Sequence, residues 1–94
     1  MLDNMHAEVK MEEGYMRISI EYTKQSSRNT ICDAIGEVEH SMDLYPEVIH
    51  RRLSNETGKF SVEFSGEDYV CQRTSGEFIE TLLKKLNITK CDYD

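Results

Sequence analysis

The stretch Lys59-Phe60-Ser61-Val62-Glu63-Phe64-Ser65 decides the fold class of this 94-residue chain. Its apolar side chains alternate with polar ones, which is typical of a β-strand with one covered face. The stretch 16–22 has the same period, because Met16, Ile18, Ile20 and Tyr22 alternate with polar residues. The chain is therefore expected to build a sheet with one apolar face.

Two helices are predicted around these strands. Apolar residues recur at helical spacing from Ile31 to Tyr45, and Pro46 is expected to end that helix. A second apolar stripe runs from Phe78 to Leu86, behind a capping box formed by Thr74-Ser75-Gly76-Glu77. Both helices are available to cover the apolar face of the sheet.

Two further strands complete the predicted order. Residues 48–53 are expected to form a strand with Ile49 and Leu53 on one face, and this strand should run parallel to 16–22 through a crossover. A short polar turn separates Phe64-Ser65 from Tyr69–Arg73, which predicts a hairpin. The fold class is thus α/β (α+β), in the order β-α-β-β-β-α, with a four-stranded mixed sheet and two helices.

The chain is expected to hold a single domain, because one core usually takes about 50–150 residues. Residues 1–14 are mostly polar and acidic and are predicted to be a flexible N-terminal extension. Residues 15–90 carry the periodic segments and form the predicted domain. Residues 91–94 are predicted to be a short polar tail.

Composition excludes several function classes. The net charge of −7 comes from 18 acidic and 11 basic residues and argues against a general nucleic-acid binder. No apolar run approaches the ~20 residues of a membrane span. The first residues do not resemble a signal peptide, and three cysteines without short spacing fit reduced thiols in the cytosol or nucleus. The histidines His6, His40 and His50 lack ligand spacing, so neither a metal nor another cofactor is predicted.

Three short motifs carry a resemblance to a known family. Ile20-Glu21-Tyr22 before a polar loop, Tyr45-Pro46 before the next strand and Thr57-Gly58-Lys59-Phe60 are similar to segments of the selenoprotein W-related (Rdx) family. The resemblance covers roughly residues 15–90 and implies a thioredoxin-like fold.

The family's redox motif is degenerate in this chain. The resemblance implies that its Cys-x-x-Cys positions fall on Thr23 and Ser26. A thiol at a helix N-terminus is populated as a nucleophilic thiolate, whereas an alcohol is a far weaker acid and forms no disulfide. Dithiol exchange at this place is therefore excluded, and no catalytic residue is assigned.

The leading hypothesis is a non-catalytic protein-binding module, or adaptor, which is not an enzyme. The resemblance implies a protein-binding edge at the former redox loop, made of Thr23, Lys24, Gln25, Ser26, Ser27 and Thr57. The partner is expected to be a protein of unspecified identity. The alternative is a thiol redox protein that works through a single cysteine and glutathione.

The cysteines bear on that alternative. Cys32 and Cys71 are expected to be buried in the core, and Cys91 to be exposed in the tail. Cys91 stands four residues from the end, but Asp92, Tyr93 and Asp94 lack the aliphatic residues of a prenylation signal, so no membrane anchor is expected.

The basic triplet His50-Arg51-Arg52 has three interpretations. It is the charged part of an edge strand that discourages pairing with other chains, a docking patch for an acidic partner, or an RNA contact. The sequence favours the first interpretation.

Overall fold

The computed structural model describes residues 5–65, 72–88 and 91–93 and shows an α+β fold. In chain order the elements are β1 (Met5–Glu12), β2 (Tyr15–Tyr22), α1 (Gln25–Met42), β3 (Glu47–Arg52), β4 (Gly58–Ser65), α2 (Gln72–Lys85) and β5 (Cys91–Tyr93). Neither helix is long and apolar enough to cross a membrane.

The strands form one five-stranded sheet in the order β3-β4-β2-β1-β5. The first four are antiparallel to their neighbours, and β5 runs parallel to β1. Since β2 and β3 are both antiparallel to β4, they run in the same direction, as the sequence predicts. They are not adjacent, however, because β4 lies between them and splits the β-α-β unit.

The core lies between one face of the sheet and the two helices. On β2 and β4 the alternating apolar residues predicted from the sequence are buried on this face: Met16, Ile18, Ile20, Tyr22, Phe60, Val62 and Phe64. The helices bury most of the stripes predicted for them, but α1 ends at Met42 and leaves Tyr45 exposed. The ring of Phe78 on α2 packs edge-on against Phe64 with centroids 5.2 Å apart. The opposite face carries mostly polar side chains.

The prediction that residues 1–14 form a flexible extension is wrong for residues 5–12. They form β1, which pairs with β2 over eight residues and buries Ala7 and Val9 in the core. Gly14, with a φ of 73°, lies in the two-residue connection between the strands and adopts the left-handed conformation that glycine tolerates best. The sheet therefore gains a strand that the sequence analysis did not predict.

Two further predictions about the C-terminal part need correction. Gln72 and Arg73 were predicted in a strand but are the first residues of α2, while 69–71 lie outside the described residues. The predicted polar tail forms the short strand β5 over residues 91–93, because its backbone pairs with β1. Over the described residues the sheet is consequently five-stranded instead of four-stranded.

The ring of Tyr22 links β2 to β3 across the intervening strand. Tyr22 is paired with Gly58 of β4, and its Oη lies 2.8 Å from Nε2 of His50 on β3. The His50 ring stacks on Phe60, with centroids 4.3 Å apart and planes at 15°. A Cβ atom at Gly58 would lie 2.6 Å from Cζ of Tyr22 and 2.9 Å from the carbonyl oxygen of Arg51. Only glycine leaves room for this crossing.

Gly58→Ala is expected to lower the free energy of unfolding by about 1–3 kcal/mol, because the added methyl group must displace the Tyr22 ring or the backbone of β3. Gly36→Ala is the matched control, since a Cβ there meets no atom within 4 Å. Alanine within α1 should raise stability by about 0.5–1 kcal/mol. Urea unfolding followed by circular dichroism measures both. Equal effects of the two substitutions would show that Tyr22 does not constrain Gly58.

Candidate functional site

The predicted binding loop lies where β2 passes into α1. Thr23 and Lys24 connect the two elements, and Gln25, Ser26 and Ser27 form the first turn of the helix. All of them are exposed except Ser27, whose side chain is buried. The amide of Ser27 donates to the carbonyl of Lys24 at 3.0 Å. A backbone hydrogen bond thus holds the loop at the helix N-terminus, and its polar side chains are exposed there.

The structure brings Thr57 to this loop. Tyr22 and Gly58 are paired, so the next residues outward, Thr23 and Thr57, come side by side. The Thr57 hydroxyl also lies 2.7 Å from the hydroxyl of Ser54, and its amide donates to the same oxygen at 3.1 Å. Thr57 therefore holds the turn between β3 and β4 in addition to bordering the loop.

The exposure of Cys32 corrects another expectation. Its neighbours Ile31 and Ile35 are buried, but Cys32 is exposed because it lies one position around the helix from the apolar stripe. It borders a surface hollow together with Asp33, Glu37 and His40. Reactive thiols usually lie beside cations or helix N-termini, and this hollow is lined by two carboxylates and one imidazole. Cys71 lies outside the described residues, and the side chain of Cys91 is not described.

An apolar groove separates α1 from β3. Its volume is about 360 Å³, and its walls are Ile35 and Pro46 with Val48 and Phe60. Glu39 lies at its rim, where burial raises the pKa of the carboxyl above its ordinary value. The folded protein therefore favours the protonated form of Glu39, and the ionised carboxylate destabilises the fold. This destabilisation is absent at pH values below the unfolded-state pKa of Glu39 and is fully present above its folded-state pKa. The groove is a space for an apolar side chain.

Exposed apolar side chains are concentrated around β3. Within the part of the chain that the structure describes, the large ones are Met11, Tyr45, Val48, Ile49 and Leu53. Only Met11 is distant in sequence; the other four lie on β3 or within two residues of its ends. We call these four residues, with the open edge of β3, the β3 surface.

The β3 surface was not predicted from the sequence. Ile49 and Leu53 were predicted on one face of a strand over 48–53, but β3 ends at Arg52 and Leu53 follows it. The face of Ile49 is the uncovered one, because Ile49 pairs with the polar Ser61. Val48 pairs with the buried Val62 and faces the helices. The sequence does contain a signal for it: Val48 and Ile49 are consecutive apolar residues of one strand, so their side chains point to opposite faces. This indicates a strand with two apolar faces.

The uncovered face of the sheet carries a charged hollow beside β3. Its volume is about 250 Å³, and it is lined by Arg17, Ile49, Arg51, Lys59, Ser61 and Glu63. The hydroxyl of Tyr15 donates to Oε1 of Glu63 at 3.2 Å. Burial raises the pKa of Tyr15, and the carboxylate of Glu63 adds to this while Arg17 opposes it. Hollows therefore flank β3 on both faces of the sheet.

The described residues contain no group of three His, Cys, Asp or Glu side chains that could hold a metal ion. Comparison with known proteins gives no assignment: no protein-family model, no curated protein and no solved structure matches the chain. The resemblance to the selenoprotein W-related family therefore stays a prediction from the sequence motifs.

Proposed function

We propose that this domain is a non-catalytic protein-binding module and that its partner docks on the β3 surface. The observation that carries the proposal is the concentration of Tyr45, Val48, Ile49 and Leu53 around one strand at the edge of the sheet. Apolar area of this kind stabilises a complex by about 25 cal/mol for each Å² removed from water.

The position of β3 supports a specific mode of binding. All six of its residues are exposed, and among the described residues β3 has a neighbouring strand on one side only. An incoming extended segment can therefore add to the sheet through main-chain hydrogen bonds. Alternate side chains of that segment would point to the two faces of the sheet. On one face they would meet the groove at Val48, and on the other the hollow at Ile49.

The predicted loop lies near one end of this surface. Gly58 pairs with Tyr22 on one side and with Arg52 on the other, so the end of β3 lies two strands away from the start of the loop. A partner seated along β3 would reach Thr23 and Lys24 if it extended beyond Arg52 and across the end of β4. The thioredoxin-like fold, the membership in the selenoprotein W-related family and the cytoplasmic or nuclear adaptor role belong to this proposal, and the sequence motifs are their support.

Val48→Glu is expected to abolish capture of protein partners from an extract of the native source, because a carboxylate would enter the apolar groove. Met11→Glu is the matched control: Met11 is 40% exposed and Val48 38%, but Met11 lies on β1. The bound proteins are quantified by mass spectrometry. The double variant Lys24→Ala/Gln25→Ala tests the contribution of the loop in the same assay.

Identical sets of proteins bound to Val48→Glu and to the wild type would contradict docking on the β3 surface. Circular dichroism of each variant establishes that it is folded before the comparison. A loss seen with Lys24→Ala/Gln25→Ala alone would move the binding site to the loop. If Met11→Glu loses as many captured proteins as Val48→Glu, the added negative charge causes the loss and the position on β3 does not.

The exposed thiol of Cys32 favours one second candidate, a single-cysteine redox protein linked to glutathione. Cys32→Ser should leave the captured proteins unchanged if the domain is a binding module. The redox candidate instead requires that the Cys32 thiolate attack the disulfide of oxidised glutathione, which forms a mixed disulfide and releases one reduced glutathione. It also requires that Cys32 react with a thiol reagent well below the free-cysteine pKa of about 8.5. Peptide mass spectrometry after labelling at a series of pH values identifies the modified cysteine and decides between them.

A further inference from the structure

The open edge of β3 exposes the backbone groups of every second residue. The amide of Leu53 donates to the carbonyl of Thr57 on the β4 side, at 3.0 Å. The backbone groups of successive residues in a strand face opposite sides, so those of Arg51, Ile49 and Glu47 also face β4. Those of Val48, His50 and Arg52 face away from the sheet. They form a template on which another strand can pair.

Charged residues of β3 face like charges inside their own chain. On the uncovered face, Glu47 is opposite Glu63, and Arg51 is opposite Lys59. Like charges directly opposite each other in a sheet are destabilising. Arg17 and Glu21 on β2 compensate Glu63 and Lys59 from the far side, but they are two strands away from β3. Both charges of β3 therefore lack an opposite charge on the neighbouring strand.

We propose that the partner of the β3 surface is a second copy of this chain, joined through an antiparallel β3–β3 pairing about a two-fold axis at Ile49. This inference rests on the proposed function, since it names the partner that the surface takes. Glu47 then lies opposite Arg51 of the second copy, and Arg51 opposite Glu47 of the second copy. Both charges gain the opposite charge that their own chain does not provide.

The backbone geometry agrees with this register. Val48 comes opposite His50 of the second copy, and both residues have outward-facing backbone groups, so they form hydrogen-bonded pairs. The Ile49–Ile49 pair and the two Glu47–Arg51 pairs are then non-hydrogen-bonded pairs, in which the side chains approach most closely. The apolar contact lies at the axis, and the two ion pairs flank it.

Other registers lose this complementarity. Residues paired in a continuous sheet must point to the same face, so the axis can shift along β3 only by whole residues. With the axis at His50, Ile49 comes opposite Arg51 and the two histidines face each other. With the axis at Val48, Glu47 comes opposite Ile49. Only the axis at Ile49 joins acid to base on β3.

The number of paired residues also predicts the strength of the contact. Five residues of β3 on each side, 47–51, take part in the pairing, fewer than the 20–30 of a standard interface. The dissociation constant is therefore expected to lie in about the micromolar range. The two joined sheets would form one continuous sheet, with the groove at Val48 and the hollow at Ile49 running into the interface.

Charge reversal tests the pairing without disturbing the fold. Glu47→Arg places two cations opposite each other in the dimer, and Arg51→Glu places two carboxylates there. Within the chain both substitutions replace a like-charge pair by an opposite-charge pair, with Glu63 and with Lys59. Sedimentation equilibrium of the full chain over a concentration series is expected to show a wild-type dimer. Each variant alone should dissociate at least about tenfold more readily.

An equimolar mixture of Glu47→Arg and Arg51→Glu should dimerise again, to within about threefold of the wild type, because each pair then joins an acid to a base. A wild-type chain that stays monomeric up to millimolar concentration overturns the proposal. So does a dimer that both single variants leave intact, or a mixture that behaves like the variants alone. If the chain is monomeric but Val48→Glu still loses its captured proteins, self-pairing fails and the proposed function stands. If the dimer depends on these charges but Val48→Glu captures the same proteins as the wild type, self-pairing stands and the proposed function fails.

Discussion

The contact between Tyr22 and His50 positions the strand on which the functional account depends. Tyr22 belongs to β2 and His50 to β3, and the hydroxyl of Tyr22 passes over the missing side chain of Gly58 on β4 to reach the imidazole at 2.8 Å. A hydrogen bond of this kind contributes about 1 kcal/mol, and leaving its buried partner unpaired would cost more. It is reinforced by the stacking of His50 on Phe60. The edge strand is thereby tied to the centre of the sheet.

The consequence is an edge strand that is fixed in place but not covered. The helices bury β2 and β4 on one face, while all six residues of β3 stay exposed. Val48 faces the groove beside α1, and Ile49 faces the charged hollow on the other face. Natural edge strands are usually protected by charge against pairing. In this strand the charges have opposite signs at its two ends, so they select one pairing instead of preventing all of them.

The strands of the core could be predicted from the sequence because their pattern is local. Met16 to Tyr22 and Phe60 to Phe64 alternate strictly, and their residues are buried on one face of the sheet. Strand β1 was missed because Ala7 and Val9 are its only fully buried residues and charged residues surround them. Its stability comes from pairing with β2, and the local sequence pattern of residues 5–12 does not predict this pairing. The short β5 depends in the same way on β1.

The candidate site was predictable only in part. The polar loop at Thr23 and its proximity to Thr57 agree with the geometry, since the pairing of Tyr22 with Gly58 brings the two threonines together. The exposure of Ile49 and Leu53 depends on how far the helices extend across the sheet, which is a property of the packed molecule. The basic triplet at 50–52 lies on an edge strand, as the sequence predicts. Its relation to Glu47 depends on the pairing of β3 with β4 and is not visible in the triplet itself.

Amide hydrogen exchange, measured by nuclear magnetic resonance at several protein concentrations, tests the central claim most directly. Ile49 and Arg51, whose amides face β4, should be protected from exchange at every concentration. Val48 and His50, whose amides face the open edge, should exchange rapidly in dilute protein and become protected as the concentration rises. Exchange at Val48 and His50 that stays independent of concentration would contradict the account.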